Sequence, residues 1–413
     1  MRVAVVAEWY PSAADPVHGI WAHRQAVAAV ASGAEVRVLA LRRPIPPLAL
    51  ARRAARLPPD VTPLRRWASG ARRSLRETEL DGIPVRPVAW IGPPRPVSYG
   101  SWGYWMAPPL SRALDRLYEE WPFDVLHAHC LAPAGHAAVR WARRRPAATR
   151  PAFVVSAHGP DMIHVAQRSA IGRRACVAAL RGADVVLANS AWARRRCLAL
   201  AGAPVPVSVV HLGADLVPQP ARSGTGCRVV TVAHLQARKH HDMVLRALAR
   251  LDPQRRPAYL VIGDGEEREP LERLTAELGL GDTVRFLGQL PNDRAVAHVA
   301  ECDLFVMPSV EEPFGVAYVE AMGAGVAAIG SRGEGGPEDI AAAGEGMILV
   351  TPGDVGALAD ELTRLCGDPA ELRRLGAAAR ATVAASFTWE RCGERTVAAY
   401  SDARARARAR AAR

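Results

Sequence analysis

Lysine is all but missing from this chain: among 53 basic residues only Lys239 is a lysine, and every other cation is arginine. The seven cysteines are scattered, with no Cys-x-x-Cys pair and none at zinc spacing from a histidine. That argues against a disulfide framework and a zinc module, and a reducing cytosol is the expected setting. No window of about 18 apolar residues occurs, so no membrane-spanning helix is expected. Residues 1–7, MRVAVVA, hold one charge and run into Glu8, the pattern of a buried strand and not of a secretory signal. No Gly-x-Gly-x-x-Gly follows that strand, which disfavours a nicotinamide dehydrogenase, and GDGEER at 263–268 is too short a glycine signal to restore one. An Asp-x-Asp metal pair, a helix-turn-helix, a zinc finger and a 20–50-residue repeat are also missing. The expectation is no metal, no cofactor and no nucleic-acid partner.

What is present is 413 residues, 49% apolar and 23% charged, enough for two or three well-packed domains. The net charge of +12 is unevenly placed: residues 1–215 hold 29 arginines against 14 acids, and the remainder 24 basic against 27 acidic residues. Ten arginines fall within 42–76 with Asp60 as the sole acid. Short β-rich runs alternate with helical stretches in both halves, among them RVAVVA at 2–7, FDVLHAH at 123–129, CRVVTVAHL at 227–235 and DLFVMPS at 303–309. This is the pattern of parallel sheets covered by helices, an α/β fold with two Rossmann-like domains. The first domain is expected over 1–217, with an Arg/Pro/Trp-rich insertion at about 42–110. A linker follows at 218–226, then a second domain at 227–387, a helix at 388–402, and a solvated basic tail at 403–413.

PSVEEPFGVAYVEAMGAG at 308–325 carries the strongest chemical signal. A strand should end at Ser309 and a helix begin near Gly315, so the N–H groups of Phe314, Gly315 and Val316 form a helix N-terminus suited to a diphosphate. Glu312 and Glu320 are eight residues apart and can face one groove. Two carboxylates there could accept hydrogen bonds from vicinal hydroxyls, or could be surface acids on an ordinary loop and helix.

Glu312-Pro-Phe-Gly, Glu320-Ala-Met and Gly335-Gly336-Pro337-Glu338 resemble the donor-site pattern of retaining glycosyltransferases of family 4, which have the GT-B fold of two Rossmann-like domains facing a cleft. VAEWYPSAADPVHGIWAHRQ, VVSAHGPD, VVLANS, HLGAD and FTWE followed by Tyr400 extend the resemblance over nearly the whole chain in the family's order. It implies that Glu312 binds donor-sugar hydroxyls, that Glu320 grips the ribose, and that Phe314, Gly315 and Val316 give backbone contacts to sugar and phosphate. His158 would lie beside the transferred sugar, Gly19 would let the backbone approach the diphosphate, and the strand around Phe286 to Gly288 would hold the base. Lys239 stands where the family places its diphosphate lysine, a compact point charge in a chain that otherwise uses arginine. His158, Glu312 and Lys239 are the expected catalytic residues, and a lysine at such a site should carry no core packing.

Three departures bear on phosphate geometry: His234 replaces a frequent arginine, Val326 a proline and His240 a glycine. The implied reaction is retaining, metal-independent hexosyl transfer from a UDP-sugar, or next a GDP-sugar, to a hydroxyl of a glycan, lipid-linked or natural-product acceptor. The alternative is a catalytically silent nucleotide-sugar-binding partner of another transferase. The protein is expected in the cytoplasm, with peripheral contact at the inner face of the membrane. Residues 42–110, with Trp67, Trp90, Tyr99, Trp102, Tyr104 and Trp105, are the expected acceptor wall. The C-terminal helix should cross back to the first domain, with Phe387, Trp389 and Tyr400 as anchors.

Overall fold

The computed structural model describes residues 1–12, 15–46, 62–218 and 226–412. The chain forms two compact units, Met1–Val210 with Cys392–Arg413, and His211–Arg391. The sheet of the first unit holds β1 (Arg2–Ala7), β2 (Glu35–Arg42), β3 (Thr78–Leu80), β4 (Ile83–Ala89), β5 (Val125–His129), β6 (Ala152–Ala157), β7 (Val185–Ala188) and β8 (Val207–Val209). Their order is β3-β4-β2-β1-β5-β6-β7-β8, parallel except for the β3–β4 pair. The second unit holds β9 (Arg228–Val232), β10 (Ala258–Ile262), β11 (Val284–Gly288), β12 (Leu304–Val306), β13 (Ala327–Ser331) and β14 (Met347–Val350). These run parallel in the order β11-β10-β9-β12-β13-β14. Both sheets are Rossmann-like.

The sequence dictates this arrangement locally. Central strands such as β1, β5 and β6 are buried along nearly their whole length, as a parallel sheet with both faces covered requires. Val3, Val5 and Val6 are at most 1% exposed. The helix Ile20–Ala31 stops because Gly33 adopts φ +92°: its N–H reaches Val30 O at 2.9 Å, and that of Ala34 reaches Ala29 O at 3.0 Å, satisfying the last carbonyls.

Several boundaries differ from the sequence reading. The first unit ends at Val210, because Ala214 N–H bonds to Phe387 O at 2.8 Å and ties the following segment to the second unit. Within the supposed 218–226 linker, residues 219–225 lie outside the described residues, as do Arg52, Arg53 and Arg56 of the arginine patch. The 42–110 segment is not a simple insertion: β4 pairs with β2, and the helix Trp102–Glu120 buries Trp102, Met106 and Leu110 in the core. Charge and proline in β4 hid its alternating buried positions Ile83 and Val85. Nor is 403–413 a solvated tail. Through Ala411 it continues the helix Trp389–Ala411, burying Ala403 and Ala407, while Arg404 pairs with Asp124 at 3.0 Å and Arg410 pairs with Asp184. Tyr400 hydrogen-bonds to His127 in the first unit at 2.8 Å. Phe387, by contrast, packs against His211 and Phe314 of the second unit and is no anchor to the first.

Candidate functional site

In the second unit, β9 and β12 are neighbours, and the loops leaving their C-terminal ends meet. The β9 loop makes a turn at Ala237–Lys239 before the helix His241–Arg250, and the carbonyl of Arg238 accepts the N–H of Val310 at 2.9 Å from the β12 loop. This brings Lys239 onto the carboxylate of Glu312 in a direct ion pair, with the residues only 8% and 5% exposed. Arg238 stands 3.7 Å from the same carboxylate, and the Ser309 hydroxyl donates to it at 3.3 Å. Burial alone would push the Glu312 carboxyl up, but Lys239 and Arg238, with hydrogen bonds from Lys239 and Ser309, hold it below the usual range. Burial lowers Lys239, and Glu312 opposes that shift.

The loop from β12 is fixed by specific contacts. Glu311 sits at φ +52°, uncommon for a residue with a side chain. The Glu312 N–H donates to Glu334 at 2.9 Å, and Gly336 N–H donates to the Glu312 carbonyl at 3.1 Å. Gly336 must be glycine, since a Cβ there would lie 1.7 Å from the Phe314 carbonyl oxygen. Gly315, at φ +79°, is the N-cap of the helix Val316–Gly323, with no side-chain cap. A Cβ on it would meet the Tyr318 ring at 2.5 Å, so glycine is required here too. Glu320 projects from this helix and accepts from Asn292 at 2.8 Å. Phe314 is buried, its ring stacked 5.6 Å from His211. Phe286 and Gly288 lie on β11, the edge strand, where Phe286 packs on the core and Gly288 has φ +72°. His234 is exposed on the β9 loop.

In the first unit, His158 follows β6 and stacks on His129, with rings 5.3 Å apart and nitrogens 3.1 Å apart. Trp21 packs against both rings, 4.0 Å from His158 and 5.4 Å from His129. His127 lies 4.5 Å behind His129 and is held by Tyr400 and Ser156, each at 2.8 Å. Burial drives His158 and His127 well below the usual histidine range and His129 down to about 3, so all three are neutral at pH 7. Gly19 caps the helix Ile20–Ala31 at φ +79°, and a Cβ on it would lie 2.3 Å from the Trp9 backbone.

The structure therefore joins Lys239, Glu312 and the 314–316 helix start in one cluster, with Glu320 further along the same helix. His158 and Gly19 belong to the other unit. Sequence reasoning missed Arg238, Glu334, His127 and His129. Arg238 was hidden among 52 arginines, although its place beside Lys239 was a usable signal. The expectation that Lys239 is dispensable for packing fails because the ammonium is buried against a buried carboxylate.

The model of the glycosyl transferases group 1 family matches residues 217–382, and that of Glycosyltransferase Family 4 matches residues 18–217. An MMP alpha-(1->4)-mannosyltransferase of Mycolicibacterium hassiacum is 34% identical over 54% of this chain; the match spans only about half, 55%, of that relative's length. A GDP-mannose-dependent alpha-(1-6)-phosphatidylinositol monomannoside mannosyltransferase of Mycolicibacterium smegmatis is 30% identical over 70% of this chain and 79% of its own. A 2-deoxystreptamine glucosyltransferase of Streptomyces kanamyceticus is 30% identical over 64% and 74%. Among solved structures, a sucrose-phosphate synthase from Thermosynechococcus elongatus superposes with TM-score 0.75 at 21% identity, covering 97% of this chain and 98% of its own. Anabaena HepE in complex with UDP superposes with TM-score 0.68 at 18% identity, covering 97% and 100%. The fold is thus GT-B, and with family models across both halves and a relative matched over most of its length, the chain belongs to glycosyltransferase family 4.

Proposed function

We propose that the protein transfers a hexosyl group, with retention of anomeric configuration and without a metal, from a nucleoside-diphosphate sugar to a hydroxyl of a glycan, lipid-linked or natural-product acceptor. The observation that carries this reading is the buried Lys239–Glu312 pair, with Arg238 beside it, next to the helix start at Gly315. Cations and a helix N-terminus together form a positive field where a leaving diphosphate gains charge. Lys239 and the N–H groups at 314–316 hold the diphosphate in this reading, Glu320 accepts from the ribose hydroxyls, and Phe286 to Gly288 line the base. Glu312 accepts from hydroxyls of the sugar, its carboxylate kept ionised by Lys239 and Arg238.

His158 is neutral and its Nε2 is engaged by His129, so in this reading it meets the sugar through Nδ1 and without a charge. Chemically, the bond from the anomeric carbon to the phosphate oxygen breaks as the acceptor oxygen bonds to that carbon on the same face. The acceptor proton passes to the departing phosphate. UDP-sugars are the first donors to test and GDP-sugars the next, the latter in keeping with the GDP-mannose-dependent relative. No helix among the described residues is long and apolar enough to cross a membrane. A lipid-linked acceptor would therefore be met by peripheral contact, at the cytoplasmic face.

The test is thermal stabilisation by UDP-, GDP- and dTDP-sugars, since a ligand at a hundred times its Kd stabilises by about 2.7 kcal/mol. One nucleotide family should raise the melting temperature, and Glu320→Ala should reduce the shift. Stabilisation by none of them would overturn the donor assignment. Binding without any nucleoside diphosphate release would favour the silent-partner alternative.

A further inference from the structure

Two stretches of the second unit, HLGAD at 211–215 and FTWE at 387–390, lie outside the Lys239–Glu312 cluster, yet both pack on the loop that follows β12. The His211 ring stacks on the Phe314 ring at 5.6 Å, with 17° between their planes. The Phe387 ring closes a triangle, 5.2 Å from His211 and 6.0 Å from Phe314. The two stretches are also joined to each other. Ala214 forms a parallel bridge with Thr388, and Gly213 presses on the Trp389 backbone with no room for a Cβ. Phe314 and Phe387 are each 1% exposed, so the triangle is close-packed interior.

His211 is in turn held by a carboxylate. Its Nε2 lies 3.2 Å from Asp339, and both side chains are mostly buried. A carboxylate only accepts, so Nε2 carries the proton of that bond. Asp339 stands on the helix Gly335–Ala343, whose first turn holds the backbone of the same loop. There Gly336 N–H donates to the Glu312 carbonyl at 3.1 Å, and no Cβ fits between Gly336 and the Phe314 carbonyl. The loop is thus held twice, at its backbone by that helix and at the Phe314 ring by a histidine tied to the same helix. Phe314 lies between Glu312 and the helix start at Gly315, so a shift of its ring moves the Glu312 carboxylate and the N–H groups of Gly315 and Val316 together. A misplacement of about 1 Å from a remote support can lower a rate about a hundredfold.

We propose that His211 and Asp339 are positioning residues for sugar transfer, a dyad that sets the 312–316 loop through the Phe314 ring. His211 supplies the flat face that fixes the rotation of Phe314, and Asp339 fixes the plane of the imidazole by accepting from Nε2. The effect on turnover rests on the glycosyltransferase reading; the hold on the loop does not.

Hydrogen exchange of the full chain without ligand, read by mass spectrometry, tests that hold. His211→Leu and Asp339→Ala should each speed exchange over residues 312–319 about tenfold, while β9 and β12 keep the parent's protection. Asp339→Asn keeps an acceptor for Nε2–H and should restore the parent's rate. Unchanged exchange over 312–319 in both variants, or protection lost evenly across the second unit, would overturn the proposal. Turnover is then followed with UDP- and GDP-sugars. In His211→Leu, kcat should fall about tenfold or more while the Kd of UDP or GDP rises about threefold or less, because the loop geometry matters most in the transition state. The double variant His211→Leu with Asp339→Ala should be no slower than the slower single one, as expected of two residues acting as a unit. A kcat equal to the parent's, or losses that simply multiply, would also overturn the proposal. A parent protein that turns over no donor would count against the glycosyltransferase reading instead, and the exchange result alone would decide the dyad.

Discussion

Replacing Lys239 by methionine keeps most of the side-chain volume and removes the ammonium from a carboxylate that is 5% exposed. Losing one member of a buried ion pair typically costs about 3–5 kcal/mol, because the remaining charge is stranded away from water. Arg238 at 3.7 Å and the Ser309 hydroxyl at 3.3 Å stay behind, so the lower end, about 3 kcal/mol, is expected. For a unit of this size that corresponds to a fall of about 6–12 °C in its melting temperature, read by differential scanning calorimetry at pH 8. The sign of the pH dependence is fixed by the same pair. In the parent protein the Glu312 carboxyl is held below its usual range, so its contribution is present above the unfolded carboxyl pKa and is lost as pH falls through the folded value. With Lys239 gone, burial pushes the carboxyl the other way, and protonation relieves the cost. The gap between variant and parent should therefore shrink from pH 8 toward pH 5, and Lys239→Met with Glu312→Gln should recover most of it. A single variant as stable as the parent at pH 8, or a deficit that does not change with pH, would refute the reasoning.

Glu8→Gln should stabilise the first unit by about 3 kcal/mol at pH 8, since the parent carboxyl is raised from 4.5 to about 7 and must ionise while buried. The advantage should vanish below the unfolded carboxyl pKa, as urea titrations at pH 8 and pH 4 can check. Glu320→Ala should weaken the bare nucleotide, whereas Glu312→Gln should abolish transfer and leave nucleotide affinity nearly intact; calorimetry and turnover together separate the two. His129, neutral down to about pH 3 in the fold, makes the first unit acid-sensitive: stability falls as pH drops below 6.5, by about 2 kcal/mol at pH 5 from this residue. His129→Phe should reduce that slope. Gly336→Ala should destabilise the second unit by several kcal/mol, because backbone at Phe314 and not a movable side chain blocks the new methyl group.

Much of this molecule is legible in its sequence for physical reasons. Strands buried on both faces must be continuous apolar runs, so β1, β5, β6 and β12 announce themselves. β3 and β4 did not, because Thr78–Leu80 is three residues long and Ile83–Ala89 interleaves prolines and an arginine with its buried positions. The C-terminal repeat of alanine and arginine looks solvated by composition, yet its alanines supply a buried stripe and its arginines find Asp124 and Asp184. Glu312 and Glu320 were visible because Glu312-Pro-Phe-Gly and Glu320-Ala-Met resemble the family's donor-site pattern at a spacing of eight residues. The Lys239–Glu312 contact was not visible: the partners are 73 residues apart, and only the adjacency of β9 and β12 joins them. The histidine row likewise depends on β5 and β6 being neighbours.

The central claim is that the cluster at Lys239, Glu312 and the 314–316 helix start breaks the bond between a sugar and a nucleoside diphosphate. Proton and phosphorus NMR of the purified protein with UDP- and GDP-sugars, in the presence of a hydroxyl-bearing acceptor, follows both that bond and the new glycosidic one. The account predicts release of one nucleoside diphosphate, a product with the donor's anomeric configuration, and no release by Glu312→Gln. Inverted product would contradict the proposed stereochemistry, and undiminished release by Glu312→Gln would contradict the site itself.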